Sequence, residues 1–517
     1  TMLDQYGYIE KAPVKPVLIG KDIYADGKEL HIPQKTLTVD HCSLIGQHNY
    51  QNLAVAWYIA DVLGINEQQV LDACNKFHPL HHRLENIGTK DGIRYINDSI
   101  STIGQACIQA LQSIDDADVV LVGGMDRGIE YNELEAYFNE KKDIKVIFMY
   151  ATGKRIHHEM KEKGLIKRLT NKTFNFDPRL KEGFFTANYF LKTRKIVLEN
   201  IPNQIVTMQF FQREDDVMVC GLDECIALIH EFAVEPETLK IEALNDGDII
   251  NYGEPALKIT GKYENFGFLE SMIDGILARR SSVCTNTYRV MKVLNGKGII
   301  NMADRQDEYN TQIGDGYASY VAGLKADSTD AMGAWWGGKG LGTMPHALIQ
   351  ICDGDICKAA DFYLKTFPEE KVTALIDYHN NVVNDSLMIA RHLKDKLRAV
   401  RVDTSKALID HYFDDKDTSG FDPHGVCKEL IFALRKALDD EGFNYVKIIV
   451  SSGFDAKKIK DFEDHYTPVD IYGVGTSLVK INVGFTGDLV KLNGKDQAKE
   501  GRKDIPSNRL EVVKFDK

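Results

Sequence analysis

The sequence predicts an α/β protein in two stretches with an α+β lobe between them. The first stretch is a Rossmann-like layered segment; the second is an irregular TIM-like α/β barrel. Three observations predict this. Buried-type strands ending in glycine, DVVLVGG and KVIFMYATG, sit beside helical-period runs in the first third. Short apolar strands ending at Asp, Ser or Gly recur after about residue 285, with amphipathic helices between the later ones. Between these stretches the strand and helix patterns no longer alternate regularly.

The elements follow in order. Residues 1–47 read as short β-like runs (KPVLIG, HIPQKTLTVD) broken by polar turns. Residues 48–170 begin with QNLAVAWYIADVLG, whose apolar residues fall at helical spacing. GIRYIND then reads as a strand, GQACIQALQSI as a helix, and DVVLVGG and KVIFMYATG as strands of a mostly parallel sheet. A Lys-rich polar stretch, KEKGLIKRLTNKTFNFDPRL, marks the main boundary near 170. Residues 171–284 form the lobe, with QIVTMQFFQ, DDVMVCG and PALKITG around the helical ECIALIHEF. Residues 285–480 supply the barrel strands GIINMAD, VTALID, AVRVD, VKIIVSSG and VDIYGVG. Residues 481–517 return to β-like runs that rejoin the lobe.

Composition narrows the function. The chain has 517 residues, 44% of them hydrophobic and 27% charged, which is ordinary for a folded protein of three or four domains. Its 63 Lys and Arg against 76 Asp and Glu leave a net charge of −13. A general nucleic-acid binder needs the opposite surplus. A small phosphorylated ligand needs only a local site. No apolar run approaches the roughly 18–20 residues of a membrane span. The nine cysteines hold no CxxC pair and read as reduced thiols of a cytoplasmic protein. The chain starts at Thr1 with no signal-like segment, as expected of a piece that begins inside a longer polypeptide.

In a barrel, the residues at strand C-termini face the active site. Here these are Asp304, Asp377, Asp403, Ser451, Ser452 and Gly475. Gly473-Val474-Gly475-Thr476 and Ser451-Ser452-Gly453 end two strands with small donors. Such loops let backbone N–H groups approach a phosphate; the bland alternative is a pair of tight turns. Arg401 and Asp403 lie two apart and so share one face of a strand. They could serve an anion and a sugar hydroxyl or Mg²⁺-bound water, or simply pair with each other. His346, in GTMPH, could be a nucleophile or base, or could cap the helix that starts near Ala347. His78, His81 and His82 read as a polar loop rather than a metal site. Asp98 or Ser99 could be a helix N-cap. No Gly-Lys pair is followed by Ser or Thr, so this sequence contains no Walker A loop.

Two resemblances then emerge. DPRLKEGFFTANYFLKT, VTMQFFQ, MADRQDEY, GTMPHALIQ, VRVDT, VSSGFD and IYGVGTSL, in this order, resemble nicotinate phosphoribosyltransferase from about residue 171 to the end. IGQHNYQN, HHRLE, INDSISTIG and VVLVGGMDRG resemble the C-terminal domain of a Mur ligase that adds D-glutamate to UDP-N-acetylmuramoyl-alanine. That second likeness covers residues 48–170, with a remnant of the central domain in 1–47. The P-loop domain of that family has no counterpart in this sequence, nor does the final Ser-Pro strand of its third domain. A Lys often found after the Asp-Ser of that domain is Ile100 here.

The first resemblance implies a type II phosphoribosyltransferase fold and ATP-dependent formation of nicotinate mononucleotide and diphosphate. The substrates would be nicotinate and 5-phosphoribosyl 1-diphosphate, with Mg²⁺, in a homodimer that shares its active sites. It implies that ATP phosphorylates His346, that Thr343 approaches nicotinate, and that Tyr189 stacks on the pyridine ring. Arg305, first, and Arg401 would meet the nicotinate carboxylate and the diphosphate, with Asp403 beside them. Ser451, Ser452, Gly453, Gly473, Gly475 and Thr476 would hold the phosphates; Ser452 stands where the family often has glycine. The second resemblance points to Arg83, Asp98, Ser99, Thr102 and Arg127 as relics of a ligase site without ligation. Alternatives are a quinolinate phosphoribosyltransferase and, for the first 170 residues, a Mur ligase fragment or a non-catalytic interaction module.

Overall fold

The computed structural model describes residues 17–513, apart from 79, 91, 115, 142–143, 164, 166–172 and 343. The chain divides into two units, Thr1–Arg168 and Leu169–Lys517. Among the described residues no helix is long and apolar enough to cross a membrane.

In the first unit, β1 (Tyr24–Asp26), β2 (Glu29–Ile32) and β3 (Lys35–Thr38) form an antiparallel sheet. Helix α1 (Gln47–Val62) closes it by burying Trp57. Its Gln51 side chain bonds the backbone of Ile23 and Ala25. Helix α2 (Glu67–Lys76) starts with a capping box between Asn66 and Gln69. Strands β4 (Glu85–Lys90) and β5 (Ile93–Asn97) form an antiparallel hairpin. Of the strands described in this unit, β6 (Val119–Gly124) and β7 (Lys145–Met149) are the pair that runs parallel. Helices α3 (Gly104–Gln112), α4 (Asn132–Glu140) and α5 (Tyr150–Glu162) bury Ile108, Leu134 and Ile156 against them.

The mostly parallel sheet expected here is therefore corrected: GIRYIND belongs to a hairpin. The reason is local. An Asp-Gly pair at 91–92 is a strong two-residue hairpin signal, and Gly92 has φ 79°.

The second unit opens with α6 (Asn188–Asn200) and β8 (Ile205–Gln212). Then come β9 (Val217–Met218), α7 (Leu222–Phe232), β10 (Lys240–Ala243), β11 (Ile249–Ile250) and β12 (Pro255–Lys262). The long helix α8 (Glu270–Met291) follows. Strands β18 (Phe485–Leu492), β19 (Lys495–Asp496) and β20 (Glu511–Val512) return from the far end of the chain. The lobe sheet has the order β19-β18-β8-β12-β10-β20 and is antiparallel throughout. Its core holds Met208, Phe210, Ile241 and Ile259, each at most 1% exposed. The boundary expected at 284/285 falls inside α8, so lobe and barrel share one helix.

The barrel strands are β13 (Gly298–Asn301), β14 (Val372–Leu375), β15 (Leu397–Val402), β16 (Lys447–Val450) and β17 (Ile471–Val474). All pair in parallel, in the order β13-β17-β16-β15-β14. Asp327 extends the sheet, bridging Asn301 on one side and Gly340 on the other. No pairing among the described residues joins Gly340 to β14, so the barrel stays open there. Between the strands lie α9 (Gln312–Val321), α10 (His346–Ile351), α11 (Ile356–Thr366), α12 (Val382–Leu393), α13 (Lys428–Asp440) and α14 (Ala456–Asp464). Leu430, Leu434, Ile389 and Ile459 are fully buried in the core that α12–α14 share with the strands.

Each unit has its own apolar clusters. Residues 169–517 expressed alone are expected to unfold in one cooperative transition, with native near-ultraviolet circular dichroism. A non-cooperative melt of this piece would contradict the division.

Candidate functional site

Parallel pairing brings the C-termini of the barrel strands to one edge, and a cleft of about 1430 Å³ opens there. Ser451 to Gly453 line it after β16, and Gly473, Gly475, Thr476 and Ser477 line it after β17. Ser452 and Gly453 have φ of 76° and 73°. A serine in that region stores backbone strain, which folds retain chiefly at functional turns. A Cβ on Gly473 would stand 2.7 Å from Met302 Sδ, and one on Gly475 would stand 2.9 Å from Met302 O. Both positions thus need glycine for close packing. Ser477 Oγ donates to Phe454 O at 2.9 Å and ties the two loops together. Thr476 Oγ1 donates to Gln306 Oε1 at 2.6 Å.

Arg401 and Asp403 leave β15 on the same face. Arg401 Nη1 lies 3.4 Å from both Asp403 Oδ2 and Ser451 Oγ, and Ser451 Oγ donates to Asp403 Oδ1 at 2.7 Å. Arg401 Nε is buried without a partner. An unsatisfied guanidinium N–H in a cleft wall is a ready donor for a ligand. The rim salt bridge that the sequence allowed is present, but it leaves that donor free.

His346 is the first residue of α10 and caps nothing; Pro345 is the N-cap residue. Its Nε2 lies 3.2 Å from Asp377 Oδ2, at the end of β14. An ionised carboxylate only accepts, so Asp377 in that state selects a proton on Nε2, and in the neutral ring Nδ1 then keeps its lone pair. Burial pushes the Asp377 carboxyl above the usual range; His346 pulls it partly back, and the negative Asp403 adds to the rise. Asp377 Oδ1 is buried without a partner. Asp377 was expected at this edge, but the sequence does not pair it with His346.

The charge of the cleft opposes that of the chain. Arg305, Arg401, Lys406 and Lys480 line it at the C-terminal edge, and Lys371 and Arg398 line it at the N-terminal ends of β14 and β15. Among the described residues only Arg401 of these has an ion-pair partner. Against them stand Asp304, Glu370, Asp403 and Asp455, with Asp304 Oδ1 already accepting from Ser328 Oγ at 2.8 Å. The arrangement suits a ligand with several negative charges.

The cleft thus gathers His346, Arg305, Arg401, Asp403 and both phosphate-type loops. Arg305 is exposed there. Thr343 lies outside the described residues. Tyr189 does not line the cleft: it sits in the first turn of α6, 64% exposed, with its ring 4.2 Å from Phe190. Lys480 belongs to the cleft although no quoted motif covers it, and so does Gln306, which lies within MADRQDEY but is not singled out there.

In the first unit, Asp98 caps no helix, contrary to one expectation, because α3 begins at Gly104 without a side-chain cap. Instead Asp98 accepts from Leu84 N at 3.0 Å and from Ser101 Oγ at 2.5 Å. Arg83 and Asp98 both act on His48, whose pKa is lowered first by burial and then by Arg83, with Asp98 opposing. Ser99, Thr102 and Arg127 are exposed and share no hydrogen bond with that group among the described residues. His81 bonds Glu85, and no cluster of three or more His, Cys, Asp or Glu fit to hold a metal occurs among the described residues.

Residues 188–281, from α6 into α8, match the family described as quinolinate phosphoribosyl transferase, N-terminal domain. The chain is similar to the nicotinate-nucleotide pyrophosphorylase of Pyrococcus furiosus in its crystal structure. That match has a TM-score of 0.56 and 28% identity, over 67% of this chain and 86% of that one. The N-terminal part is similar to Mur ligases. One is the UDP-N-acetylmuramoyl-L-alanine–L-glutamate ligase of Xanthomonas campestris, 38% identical over 115 residues, 22% of this chain and 25% of that protein. Another is the UDP-N-acetylmuramoylalanine–D-glutamate ligase of Lactobacillus delbrueckii, 32% identical over 162 residues, 31% and 34% of the two chains. The chain therefore spans a quarter to a third of the length of these curated relatives. It joins a Mur-ligase-like part to a phosphoribosyltransferase-like part, in the fold class expected from its sequence.

Gly475→Ala should push the loop off the Met302 carbonyl. Affinity for ribose 5-phosphate, measured by calorimetry, is expected to fall about tenfold, since loss of one charge-assisted bond costs roughly that much.

Proposed function

We propose that the second unit is a nicotinate phosphoribosyltransferase that couples ATP hydrolysis to formation of nicotinate mononucleotide and diphosphate. The observation that carries this reading is the His346–Asp377 pair on the rim of a cleft built from two phosphate-type loops. With Nε2–H held by Asp377, Nδ1 faces outward as a nucleophile. It attacks the γ-phosphorus of ATP; an N–P bond forms, the bond to the β-phosphate oxygen breaks, and ADP leaves. The ring becomes cationic as it does so, and the Asp377 carboxylate stabilises that charge; water then attacks the phosphorus, the N–P bond breaks, and phosphate leaves with the neutral imidazole restored.

In the transfer step the ribosyl C1–O bond to diphosphate breaks as the pyridine nitrogen attacks C1. Negative charge grows on the diphosphate, and Arg305 and Lys406, which line the cleft, are the cations assigned to meet it. The Ser451–Gly453 and Gly473–Thr476 loops hold the 5-phosphate and fix the sugar. Asp403 and Asp377, whose Oδ1 has no partner, would be the carboxylates to hold a Mg²⁺ ion supplied with the diphosphate substrate. Bound there, the ion would neutralise part of the leaving group's charge. Arg401, with its free buried Nε, is better placed than exposed Arg305 to pair with the nicotinate carboxylate. Tyr189, exposed on the lobe, is free to serve a neighbouring copy's cleft in a homodimer.

One observation favours a second reading. Residues 188–281 match the quinolinate phosphoribosyl transferase N-terminal domain, and quinolinate carries two carboxylates where nicotinate carries one. Turnover of nicotinate and quinolinate, each with and without ATP, separates the two. For the first unit we propose no ligation by the part present here, since the sequence has no Walker A loop.

His346→Ala is expected to abolish nicotinate-dependent ATP hydrolysis while slow ATP-independent transfer survives; undiminished coupling in the variant would exclude phosphohistidine. Nicotinamide should turn over at least about a hundredfold less efficiently than nicotinate, because a buried Arg penalises a neutral partner. The pH–rate profile carries a further test. Asp377 must be ionised to hold Nε2–H, and its pKa is raised, so coupled hydrolysis should fall with decreasing pH already above the usual carboxylate range. In Asp403→Asn that acid limb should move to lower pH, since one of the two causes of the rise is gone.

A further inference from the structure

The segment after the Gly473–Thr476 loop is held with unusual care. Asn286, on α8, donates from Nδ2 to Leu478 O at 3.1 Å and to Lys480 O at 2.8 Å. Asn482 Nδ2 donates to Asn286 Oδ1 at 3.3 Å. One turn earlier on the helix, Ser282 Oγ accepts from Asn482 N at 3.1 Å and from Val483 N at 2.9 Å. Ser282 is fully buried. Two polar side chains of one helix thus fix the backbone of residues 478–483 on both sides of Lys480.

Lys480 itself lines the cleft and has no ion-pair or hydrogen-bond partner for its ammonium among the described residues. Its neighbours in the cleft are Ser477, Thr476 and Gly475 of the same segment. Arg401 and Lys406 belong instead to the β15 side. Backbone N–H groups and hydroxyls supply dipoles but no full charge. An ammonium on a fixed backbone supplies that charge as a point source, which suits a phosphate dianion of any orientation.

We propose that Lys480 is the cation that neutralises the sugar 5-phosphate in this cradle, and that Asn286 is the positioning residue that sets it. The assignment rests on the phosphoribosyl reading of the cleft and deepens it. It makes a helix of the lobe responsible for a charge in the barrel.

The test uses the full chain and two probes, ribose 5-phosphate and nicotinate, with binding followed by calorimetry. Lys480→Ala should weaken ribose 5-phosphate by roughly tenfold or more while nicotinate stays within about twofold. Lys480→Arg should restore most of the loss. Asn286→Ala should raise the KM for phosphoribosyl diphosphate with little change in kcat. Lys436→Met, on the exposed face of α13 and outside the cleft, is the charge-matched control and should leave ribose 5-phosphate binding unchanged. Near-ultraviolet circular dichroism checks that each variant is folded. Equal ribose 5-phosphate affinity in Lys480→Ala overturns the proposal, as does an equal loss of both probes. A wild-type chain that binds ribose 5-phosphate but never turns over a pyridine would sink the transferase reading and leave the Lys480 assignment standing. A wild-type chain that binds no ribose 5-phosphate would sink the cradle itself.

Discussion

Helix α8 holds the second unit together, and it does so with hydroxyls and charges as much as with apolar packing. Ser281, Ser282, Thr285 and Thr287 are all fully buried along it. Ser281 bonds Cys220, and Thr285 bonds Met218 on β9. Arg280 reaches Glu224 on α7 at 2.8 Å, and Arg279 pairs with Asp315 on α9 at 2.7 Å. A buried hydroxyl or guanidinium without its partner is costly, so each bond also fixes the element at its other end. Leu277 and Ile273, fully buried, add the apolar part of the contact with the lobe core. Lobe, barrel and cleft loops are thereby referred to one rigid rod.

The second constraint is direction. Antiparallel strands alternate their ends, whereas the parallel strands of the barrel all finish on one edge. Residues distant in sequence, such as Asp377, Arg401, Ser451 and Gly475, therefore converge without any local signal that they belong together. The lobe sheet, antiparallel throughout, serves as the platform on which α8 rests.

What the sequence could reveal divides along the same line. Ser451-Ser452-Gly453 and Gly473-Val474-Gly475-Thr476 were legible because a turn that brings backbone close to an anion needs small residues within a few positions. Arg401 and Asp403 were legible as a pair because strand alternation puts them on one face. The partner of His346 was not, since 31 residues separate it from Asp377 and only the fold joins them. Lys480 was invisible for a similar reason: its anchor lies on a helix nearly 200 residues earlier. The texture change near 285 reads as a boundary because the short strands ending at Asp, Ser or Gly begin after it, although α8 runs across that position. The hairpin at 85–97 carried its own Asp-Gly signal, and alternation of strand and helix in the surrounding sequence outweighed it. Thr343, on which part of the resemblance rests, lies outside the described residues.

The mismatch between the cleft and the rest of the chain governs how a ligand arrives. At distances beyond the Debye length, roughly 8 Å at physiological ionic strength, ions screen the net charge of −13. In dilute buffer that screen thins and a polyanion meets repulsion before it meets the six cations of the cleft. Added salt first lifts the outer barrier and only at higher concentration weakens the inner attraction. The salt dependence of polyanion capture by this molecule therefore has two opposing parts, unlike that of a uniformly basic binder, whose encounter rate falls as salt is added.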